Sequence, residues 1–285
     1  MIPKTLWLFS PLTDDLKWID YMCIKSDIVL NPDYEIVFLT DEDWDKGSPA
    51  FNKILDLQDQ YSNFIVSPIN IYEREYLELY EKIRHRDSNY PLVICSDILR
   101  FYYLWKHGGC YLDWDVFSIK SIPDISPYKF FIANDGGGET NAFMGAERGN
   151  KILKEILDTF ENTEREYGRN TGVYLIRIWY RYRLGNQLPK EIFDLKYKDK
   201  YSKYQSDKID CRFPQNTYFF CYWDHMDEVF QRDCTNGGYG FENLNNVHGF
   251  HLWHTKQWRG EEITEDWIKK HPNCTFSKYV KELGL

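Results

Sequence analysis

Two aspartates separated by one residue could hold a divalent cation. Asp113 and Asp115 follow Cys110–Leu112, an apolar run with the composition of a short strand. Sheets of the α/β class bind their ligands at the carboxyl ends of strands, and this spacing directs both carboxylates toward one crevice. Carboxylate oxygens are the ligands of Mg²⁺ and Mn²⁺ in sites that bridge phosphates. Aspartates are also common turn formers, so the pair alone leaves a metal site and a plain turn equally open.

A second polar pair lies just before this strand. Asp97 and Arg100 are three residues apart in the helical pattern Leu92–His107 and therefore share one face of the helix. On a protein surface such an ion pair would contribute roughly 0.2–0.5 kcal/mol to the helix. The surrounding residues are mostly apolar, which predicts a buried helix whose charges need partners. We therefore expect Asp97 and Arg100 to contact a polar ligand.

The sequence before these pairs alternates strand and helix patterns. Apolar runs at Thr5–Phe9 and Glu35–Leu39 predict strands, and the spacing of apolar residues in Leu16–Ile24 and Phe51–Leu57 predicts helices. The two glycines at 108 and 109 supply a helix ending just before the strand that carries the aspartates. This alternation is typical of an α/β sheet that binds nucleotides.

Further elements are predicted after the aspartates. Phe130–Ala133 and Ala142–Ala146 predict strands on either side of a loop, Asn134–Asn141, whose three consecutive glycines disfavour regular structure. Ile152–Phe160 and Val173–Tyr182 have helical patterns, and the second mixes arginines with aromatic residues. This mixture favours aromatics packed inward with arginines reaching water over contact with anionic lipid headgroups.

Composition and charge exclude several classes of protein. The 285 residues include 35 Lys and Arg against 44 Asp and Glu, and the resulting net charge of −9 argues against a nucleic-acid partner. The seven cysteines are scattered, without the close pairs of zinc or redox sites, which favours reduced thiols and a cytoplasmic location. Neither a signal-peptide pattern nor a run of about 18 apolar residues is visible. We therefore expect a soluble protein, at most peripheral at the inner face of the plasma membrane.

The residues of the central region form one pattern: Ser96, Asp97, Arg100, Gly108, Gly109, Tyr111, Asp113 and Asp115. This pattern resembles the sugar-binding region of family 32 glycosyltransferases, and the same spacing occurs in the glucosylating clostridial toxins. The resemblance extends to Ile2–Lys4, Tyr34–Asp43, Asn141–Gly145 and His251–Trp253. It spans most of the chain, and its specific part is the segment from Ser96 to Asp115.

The resemblance implies a GT-A glycosyltransferase fold, an α/β, Rossmann-like mixed sheet flanked by helices with an added helical lobe. It implies a single catalytic domain over 1–285, with a nucleotide-sugar-binding half at 1–120. The other half, 121–285, would hold the acceptor and the C-terminal metal-site segment. The implied activity is retaining transfer of a hexose from a nucleotide sugar, with Mn²⁺ or Mg²⁺ as cofactor. We favour UDP-galactose or UDP-glucose as the donor, and GDP-mannose is the open alternative. The expected acceptor is a saccharide or lipid-linked saccharide in surface (capsular) polysaccharide synthesis, contacted by Gly136–Gly138 or the helix around Trp179.

The resemblance also implies a role for individual residues. Asp115 and His251 are expected to bind the metal, because carboxylate and imidazole together suit Mn²⁺. Asp113 is expected to contact the ribose or the donor sugar. Asp97 and Arg100 are expected to hydrogen-bond the sugar hydroxyls, which makes these two and Asp113 the expected catalytic residues. The expected donor contacts are Trp7, Ser96, Asp97, Arg100, Tyr111, Asp113, Asn141 and Trp258.

The chain departs from the family pattern near both of its ends. Trp7 and Ser10 stand where the family has a His and, three residues on, a Trp, which leaves open whether Trp7 stacks on the base. Gln257 stands where relatives have a Ser before the final Trp. His254 is an alternative metal ligand.

Other functions fit parts of the same pattern. Leu112–Val116 resembles the strand-end Asp-x-Asp motif of haloacid-dehalogenase-like phosphatases, although the motif lies far from the start of the chain and no acidic pair follows it. A non-catalytic carbohydrate-binding protein would need aromatics and carboxylates but no metal. Among transferases, a host-modifying glycosylating toxin is the second interpretation. Metal-dependent binding of a nucleotide sugar separates a transferase from the phosphatase and the binding protein.

Overall fold

The computed structural model describes residues 1–10, 16–40, 48–69, 80, 91–126, 128–134, 139–167, 229–230, 247–252, 257–258 and 260–285. Its strands are β1 (Thr5–Phe9), β2 (Glu35–Thr40), β3 (Phe64–Pro68), β4 (Gly109–Leu112), β5 (Val116–Ser118), β6 (Phe130–Asn134), β7 (Glu139–Ala146), β8 (Gly249–His251), β9 (Gln257–Trp258) and β10 (Glu261–Glu262). Its helices are α1 (Trp18–Leu30), α2 (Pro49–Gln60), α3 (Pro91–His107), α4 (Lys151–Tyr167), α5 (Glu265–Lys270) and α6 (Thr275–Glu282).

Six strands form one mixed sheet in the order β3-β2-β1-β4-β7-β6. The first four in this order are parallel to one another, and β7 is antiparallel to both β4 and β6. The carboxyl ends of β1 to β4 therefore meet at one edge, where Asp113 follows β4. The Asp113 N–H donates to the carbonyl of Ala142 in β7 at 2.8 Å. The predicted α/β fold, a mixed sheet flanked by helices, is confirmed.

Both faces of the sheet are covered, which explains why its parallel strands are apolar almost throughout. Along β1, Leu6 and Leu8 point into a core formed with α1, α2, α5 and α6. Phe9 points into a second core formed with α3 and α4. The C-terminal helices contribute Trp267 and Phe276 to the first core, so the C-terminal segment is part of the main packing unit.

The turn from α3 into β4 requires glycine. Gly108 and Gly109 have positive φ values of 74° and 101°. A Cβ atom on Gly109 would lie 2.6 Å from the carbonyl oxygen of Thr5 in β1, closer than any side chain tolerates. The helix ending that the sequence predicts here is confirmed, and the close approach of two backbones adds a second reason for glycine.

Some boundaries differ from the prediction. The helix predicted at Leu16–Ile24 begins at Trp18 and continues to Leu30. The loop predicted at Asn134–Asn141 is wrong at its ends, because Asn134 pairs with Glu139 and Ala133 with Thr140 between β6 and β7. The two strands are longer than their apolar runs, because the polar residues at their ends also pair. The glycines 136–138 and the helix predicted at Val173–Tyr182 lie outside the described residues.

Two small antiparallel pairs lie outside the main sheet. β5 pairs with β8, and β9 pairs with β10. Neither β5, β8 nor the β9–β10 pair was predicted from the sequence. Within the described residues, no helix has both the length and the apolarity needed to cross a membrane.

Candidate metal and sugar-binding site

A tight turn after β4 presents the two aspartates. The Val116 N–H donates to the carbonyl of Asp113 at 3.1 Å and closes the four-residue turn Asp113–Val116. Trp114, between the aspartates, is buried in the core beside α1. Asp115 is also buried, whereas the side chain of Asp113 keeps 19% of its surface exposed. The buried side chain of Trp114 therefore holds the turn against the core, and Asp113 is more exposed to solvent than Asp115.

The pairing of β5 with β8 brings a histidine to this turn. Val116 lies opposite His251 in the register of the two strands. The next residue, Leu252, donates its N–H to the carbonyl of Asp115 at 3.0 Å. The imidazole Nε2 of His251 consequently lies 3.2 Å from Asp115 Oδ1 and 3.7 Å from Asp113 Oδ2. Residues far apart in the sequence thus form one cluster, Asp113, Asp115 and His251, which we call the acid–histidine cluster.

The chemistry of this cluster fits a divalent cation. One ligand atom from each of its three side chains lies within 4.8 Å of the other two. Carboxylates suit Mg²⁺ and Mn²⁺, and an imidazole adds a ligand that transition metals accept. His251 is buried, and this burial by itself lowers the pKa of its imidazole. The neighbouring Asp115 and Asp113 outweigh burial, and the net shift of the pKa is upward. The cluster therefore favours a positive charge here, which a proton or a metal ion can supply.

Beside the cluster, the guanidinium of Arg100 joins several polar groups. Its Nη2 donates to Ser96 Oγ at 2.8 Å and lies 3.1 Å from Asp113 Oδ1. Its Nη1 donates to the carbonyl of Asn141 at 2.6 Å, and its Nε lies 3.4 Å from Asp97 Oδ1. The Asn141 amide in turn donates to Asp97 Oδ1 at 2.6 Å. Arg100 is 4% and Asp97 3% exposed, so the pair is a buried network rather than a surface ion pair.

The aromatic ring of Tyr111 packs against the Arg100 guanidinium of this network. The centre of the Arg100 guanidinium lies 4.5 Å from the centroid of the Tyr111 ring, a cation–π arrangement. Burial raises the pKa of the Tyr111 hydroxyl; Arg100 opposes this shift, and the hydrogen-bonded carboxylate of Asp113 adds to it. Because Tyr111 is only 1% exposed, the structure shows it holding Arg100 and Asp113, and its predicted contact with the donor stays a prediction.

The structure brings most of the predicted site residues together and places Trp7 apart from them. Trp7 donates its indole N–H to the carbonyl of Gly108 at 2.8 Å and packs against Tyr103 and His107. These contacts lie at the amino end of β4, opposite to Asp113. The backbone of Trp258 forms part of β9, and its side chain lies outside the described part of the chain, as does the alternative ligand His254. The donor contacts of Trp7 and Trp258 stay predictions.

Sequence reasoning missed the buried polar residues of α1 that contact the strand after the aspartates. Ser26 and Asp27 both bond to Ser118, the last residue of β5. A signal was available, because Ser26 and Asp27 interrupt a helix that is otherwise largely apolar on its inner side, and Asn31 follows at its C-terminal end. Their partner, Ser118, could not be predicted, because it lies far away in the sequence and meets them only in the folded protein.

Comparison with protein families assigns the region that holds these residues. Residues 20–132 match the family described as the glycosyltransferase sugar-binding region containing a DXD motif. The match includes Asp97, Arg100 and the motif Asp113–Asp115. Residues 20–132 are therefore similar to the DXD-type sugar-binding region of glycosyltransferases. The resemblance to family 32 glycosyltransferases is confirmed for this DXD region.

Two curated relatives of the chain are longer glycosyltransferases. The alpha-1,4-N-acetylglucosaminyltransferase of Homo sapiens is 24% identical over 216 residues, covering 71% of this chain and 56% of the relative. The inositol phosphoceramide mannosyltransferase 3 of Schizosaccharomyces pombe is 27% identical over 161 residues, covering 55% of this chain and 36% of the relative. The chain thus spans about half the length, or less, of these relatives.

A solved structure shares the fold of most of this chain. The PaToxG glycosyltransferase superimposes with a TM-score of 0.50 at 19% sequence identity, covering 72% of this chain and 85% of that one. At this identity the similarity concerns the fold alone. The six-stranded mixed sheet with helices on both faces is the GT-A fold, as the family resemblance implies.

Proposed function

We propose that the chain is a retaining glycosyltransferase that moves a hexose from UDP-galactose or UDP-glucose to a saccharide acceptor with the help of Mn²⁺ or Mg²⁺. One observation carries the proposal. In a DXD region, both aspartates of the motif meet His251 directly beside the buried Asp97–Arg100 network. This arrangement supports a cation site next to a set of partners for sugar hydroxyls, the combination that transfer from a nucleotide sugar requires.

The chemistry of transfer assigns a task to each group. Breaking the bond between sugar and diphosphate leaves negative charge on the diphosphate and positive charge on the sugar ring. A divalent ion held by Asp115 and His251 would stabilise the departing diphosphate. Asp113, the more open carboxylate, contacts the ribose or the sugar and stabilises the positive ring. Arg100 fixes Asp113 and Asp97 before the donor arrives, so little reorganisation is needed during the reaction.

We propose front-face substitution as the route to retention. The acceptor hydroxyl approaches the anomeric carbon from the side on which the diphosphate leaves. The departing phosphate oxygen takes the hydroxyl proton while the new glycosidic bond forms, so that atoms and charges balance without a protein nucleophile.

The proposed acceptor is a lipid-linked saccharide in surface polysaccharide synthesis, reached from the cytoplasm. One relative, in Schizosaccharomyces pombe, is named for a lipid, inositol phosphoceramide. The described cysteines support a reducing compartment, because Cys23, Cys95, Cys110 and Cys274 are buried thiols.

The test is a screen for release of nucleotide from the donor in the absence of acceptor. The full chain is incubated with UDP-galactose, UDP-glucose, UDP-N-acetylglucosamine or GDP-mannose, with Mn²⁺ or with a chelator. We expect release from one UDP-hexose with Mn²⁺ and none with the chelator. Asp115→Asn should lower the rate by at least about 100-fold. Asp266→Asn, an exposed aspartate on α5, is the matched control and should behave as wild type.

Other outcomes would assign another function. Hydrolysis of p-nitrophenyl phosphate without release from any nucleotide sugar would indicate the phosphatase. Failure of both reactions together with absence of donor binding would indicate a carbohydrate-binding protein. Full activity of Asp115→Asn would show that the proposed metal ligand is wrong.

A further inference from the structure

Helix α1 holds the strand that follows the DXD motif through buried polar side chains. Ser26 and Asp27 are both fully buried. Ser26 Oγ accepts a hydrogen bond from the Ser118 N–H at 2.9 Å, and the Ser118 hydroxyl donates to Asp27 Oδ1. Farther along, Asn31 Oδ1 accepts from the Ile122 N–H at 2.7 Å. The chain is thus fixed at residue 118 to the inner side of α1 and at residue 122 to Asn31, which caps the helix.

The strand held in this way determines where two cluster residues lie. Asp115 immediately precedes β5, and Ser118 is its last residue. β5 pairs with β8 over three positions, from Val116 opposite His251 to Ser118 opposite Gly249. A two-stranded ribbon of this length is not stable by itself. A shift of its register by one residue would turn His251 to the opposite face.

Burying the carboxyl group of Asp27 costs folding free energy. Burial raises the pKa of Asp27 well above its ordinary value, and the hydrogen bond from Ser118 opposes this shift. An apolar side chain of similar size would avoid the cost of burying a carboxyl group. The hydrogen bond to Ser118 is the contact by which Asp27 reaches β5, and it accounts for a polar residue here.

We propose that Ser26 and Asp27 are positioning residues for the acid–histidine cluster. By fixing Ser118 they hold β5 against α1, and this sets the separation between the Asp115 carboxylate and the His251 imidazole. They act through Ser118 and β5. The inference rests on the metal site of the proposed function and extends it to residues of α1 that no sugar or nucleotide needs to contact.

The experiment measures equilibrium Mn²⁺ binding to the purified full chain by calorimetry, without donor. Groups that orient metal ligands change metal affinity by about 10–100-fold when they are removed, and we expect a loss of this size for Asp27→Ala and for Ser26→Ala. Asp27→Asn keeps an oxygen that accepts from the Ser118 hydroxyl, so its affinity should remain near that of wild type. If Asp27→Ala does not fold, Ser26→Ala decides, because it removes a single hydroxyl.

The matched control loosens α1 without touching β5. The Asn63 amide donates to the carbonyls of Ile28, Asn31 and Tyr34 at 3.3–3.4 Å, at the end of the helix. Asn63→Ala should lower the free energy of unfolding and leave Mn²⁺ affinity unchanged. In a His251→Ala background, Asp27→Ala should have no further effect on the remaining affinity, because the position of the imidazole no longer matters.

The outcomes separate this inference from the proposed function. Wild-type affinity in both Asp27→Ala and Ser26→Ala would overturn the positioning role while leaving the metal site intact. An equal loss in Asn63→Ala would also overturn it, since any loosening of α1 would then suffice. A wild-type protein that binds no Mn²⁺ would show that the metal site itself is wrong, and the positioning role would fall with it.

Discussion

Arg100 connects the two parts of the site because its guanidinium offers donors in a planar fork. The same side chain reaches Ser96, Asp97, Asn141 and Asp113 while its flat face rests on a tyrosine ring. A lysine ammonium is a compact point charge and cannot reproduce this geometry. The pattern of contacts, more than the positive charge, is therefore what the position requires.

We expect Arg100→Lys to lower kcat/KM for donor hydrolysis by at least about tenfold, because one lost bond to a charged group is worth about 1.5–3 kcal/mol. The fall should appear mainly in kcat, since Asp113 and Asp97 lose their orientation. Steady-state kinetics over a range of donor concentrations check this. Arg148→Lys, at an exposed position on the loop before α4, is the control. Equal kinetics for Arg100→Lys and wild type would show that charge alone suffices.

Asp27 predicts a pH dependence of stability. Burial raises its pKa in the folded protein above the ordinary value of 3.8, so the folded state binds the proton more tightly than the unfolded state does. The resulting stability is present below about pH 4 and is lost as pH rises through the raised pKa. The free energy of unfolding of wild type minus that of Asp27→Asn should therefore decrease as pH rises from about 4.

Urea unfolding at several pH values, with a chelator present, measures this difference. Asp33 provides a contrast of opposite sign, since it is exposed and its hydrogen bond from Lys4 lowers its pKa. The stability it contributes is lost as pH falls, and the effect should be small because water screens the pair. A difference for Asp27→Asn that does not change with pH would contradict the prediction.

At the scale of elements, the junction of α3 and β4 positions both polar pairs of the site. Asp97 and Arg100 lie on the helix before it, and Asp113 and Asp115 follow the strand after it. Gly109 combines a φ of 101° with a Cβ position 2.6 Å from the Thr5 carbonyl oxygen. Gly149 has a φ of 74° but nothing within 4 Å of its Cβ position. Replacing Gly149 therefore costs only the strained backbone conformation, whereas replacing Gly109 costs a steric clash as well.

We expect Gly149→Ala to lower the free energy of unfolding by roughly 1–2 kcal/mol, the cost of a left-handed conformation for a residue with a Cβ. Gly109→Ala should lower it by more, because β1 and β4 must also move apart. Chemical denaturation of the three proteins gives both values. Equal losses would mean that the strands separate at no cost.

The elements that the sequence predicts are those with strong local patterns. The run Leu92–His107 and its two terminal glycines predict α3 almost to the residue, and the strand ending at Leu112 places the DXD motif correctly. The pairing of β5 with β8 could not be predicted, because three-residue strands have no measurable period and His251 lies far along the chain. The family resemblance identified His251 as a candidate site residue. Spacing alone was enough to single out the two aspartates of the motif, Asp97 and Arg100 as candidates.

For the whole molecule, the main sheet takes strands from both predicted halves of the chain. β1 to β4 come from residues before 120, and β6 and β7 come from residues after it. The acid–histidine cluster has the same arrangement, because its two aspartates lie before residue 120 and its histidine lies after it, at residue 251. A cation bound there would join the first half of the chain to its C-terminal segment.

Such a cation should stabilise the folded chain as a whole. A ligand that binds only the folded state adds about 2.7 kcal/mol at a concentration 100 times its dissociation constant, which for a chain of this size corresponds to a rise in Tm of about 5 °C. Thermal unfolding with Mn²⁺ and with a chelator measures the rise. Asp115→Asn and His251→Ala should each abolish most of it, although the two residues lie in different halves of the chain. If His251→Ala keeps the full rise, the cation binds the aspartates without the C-terminal segment and does not join the two halves.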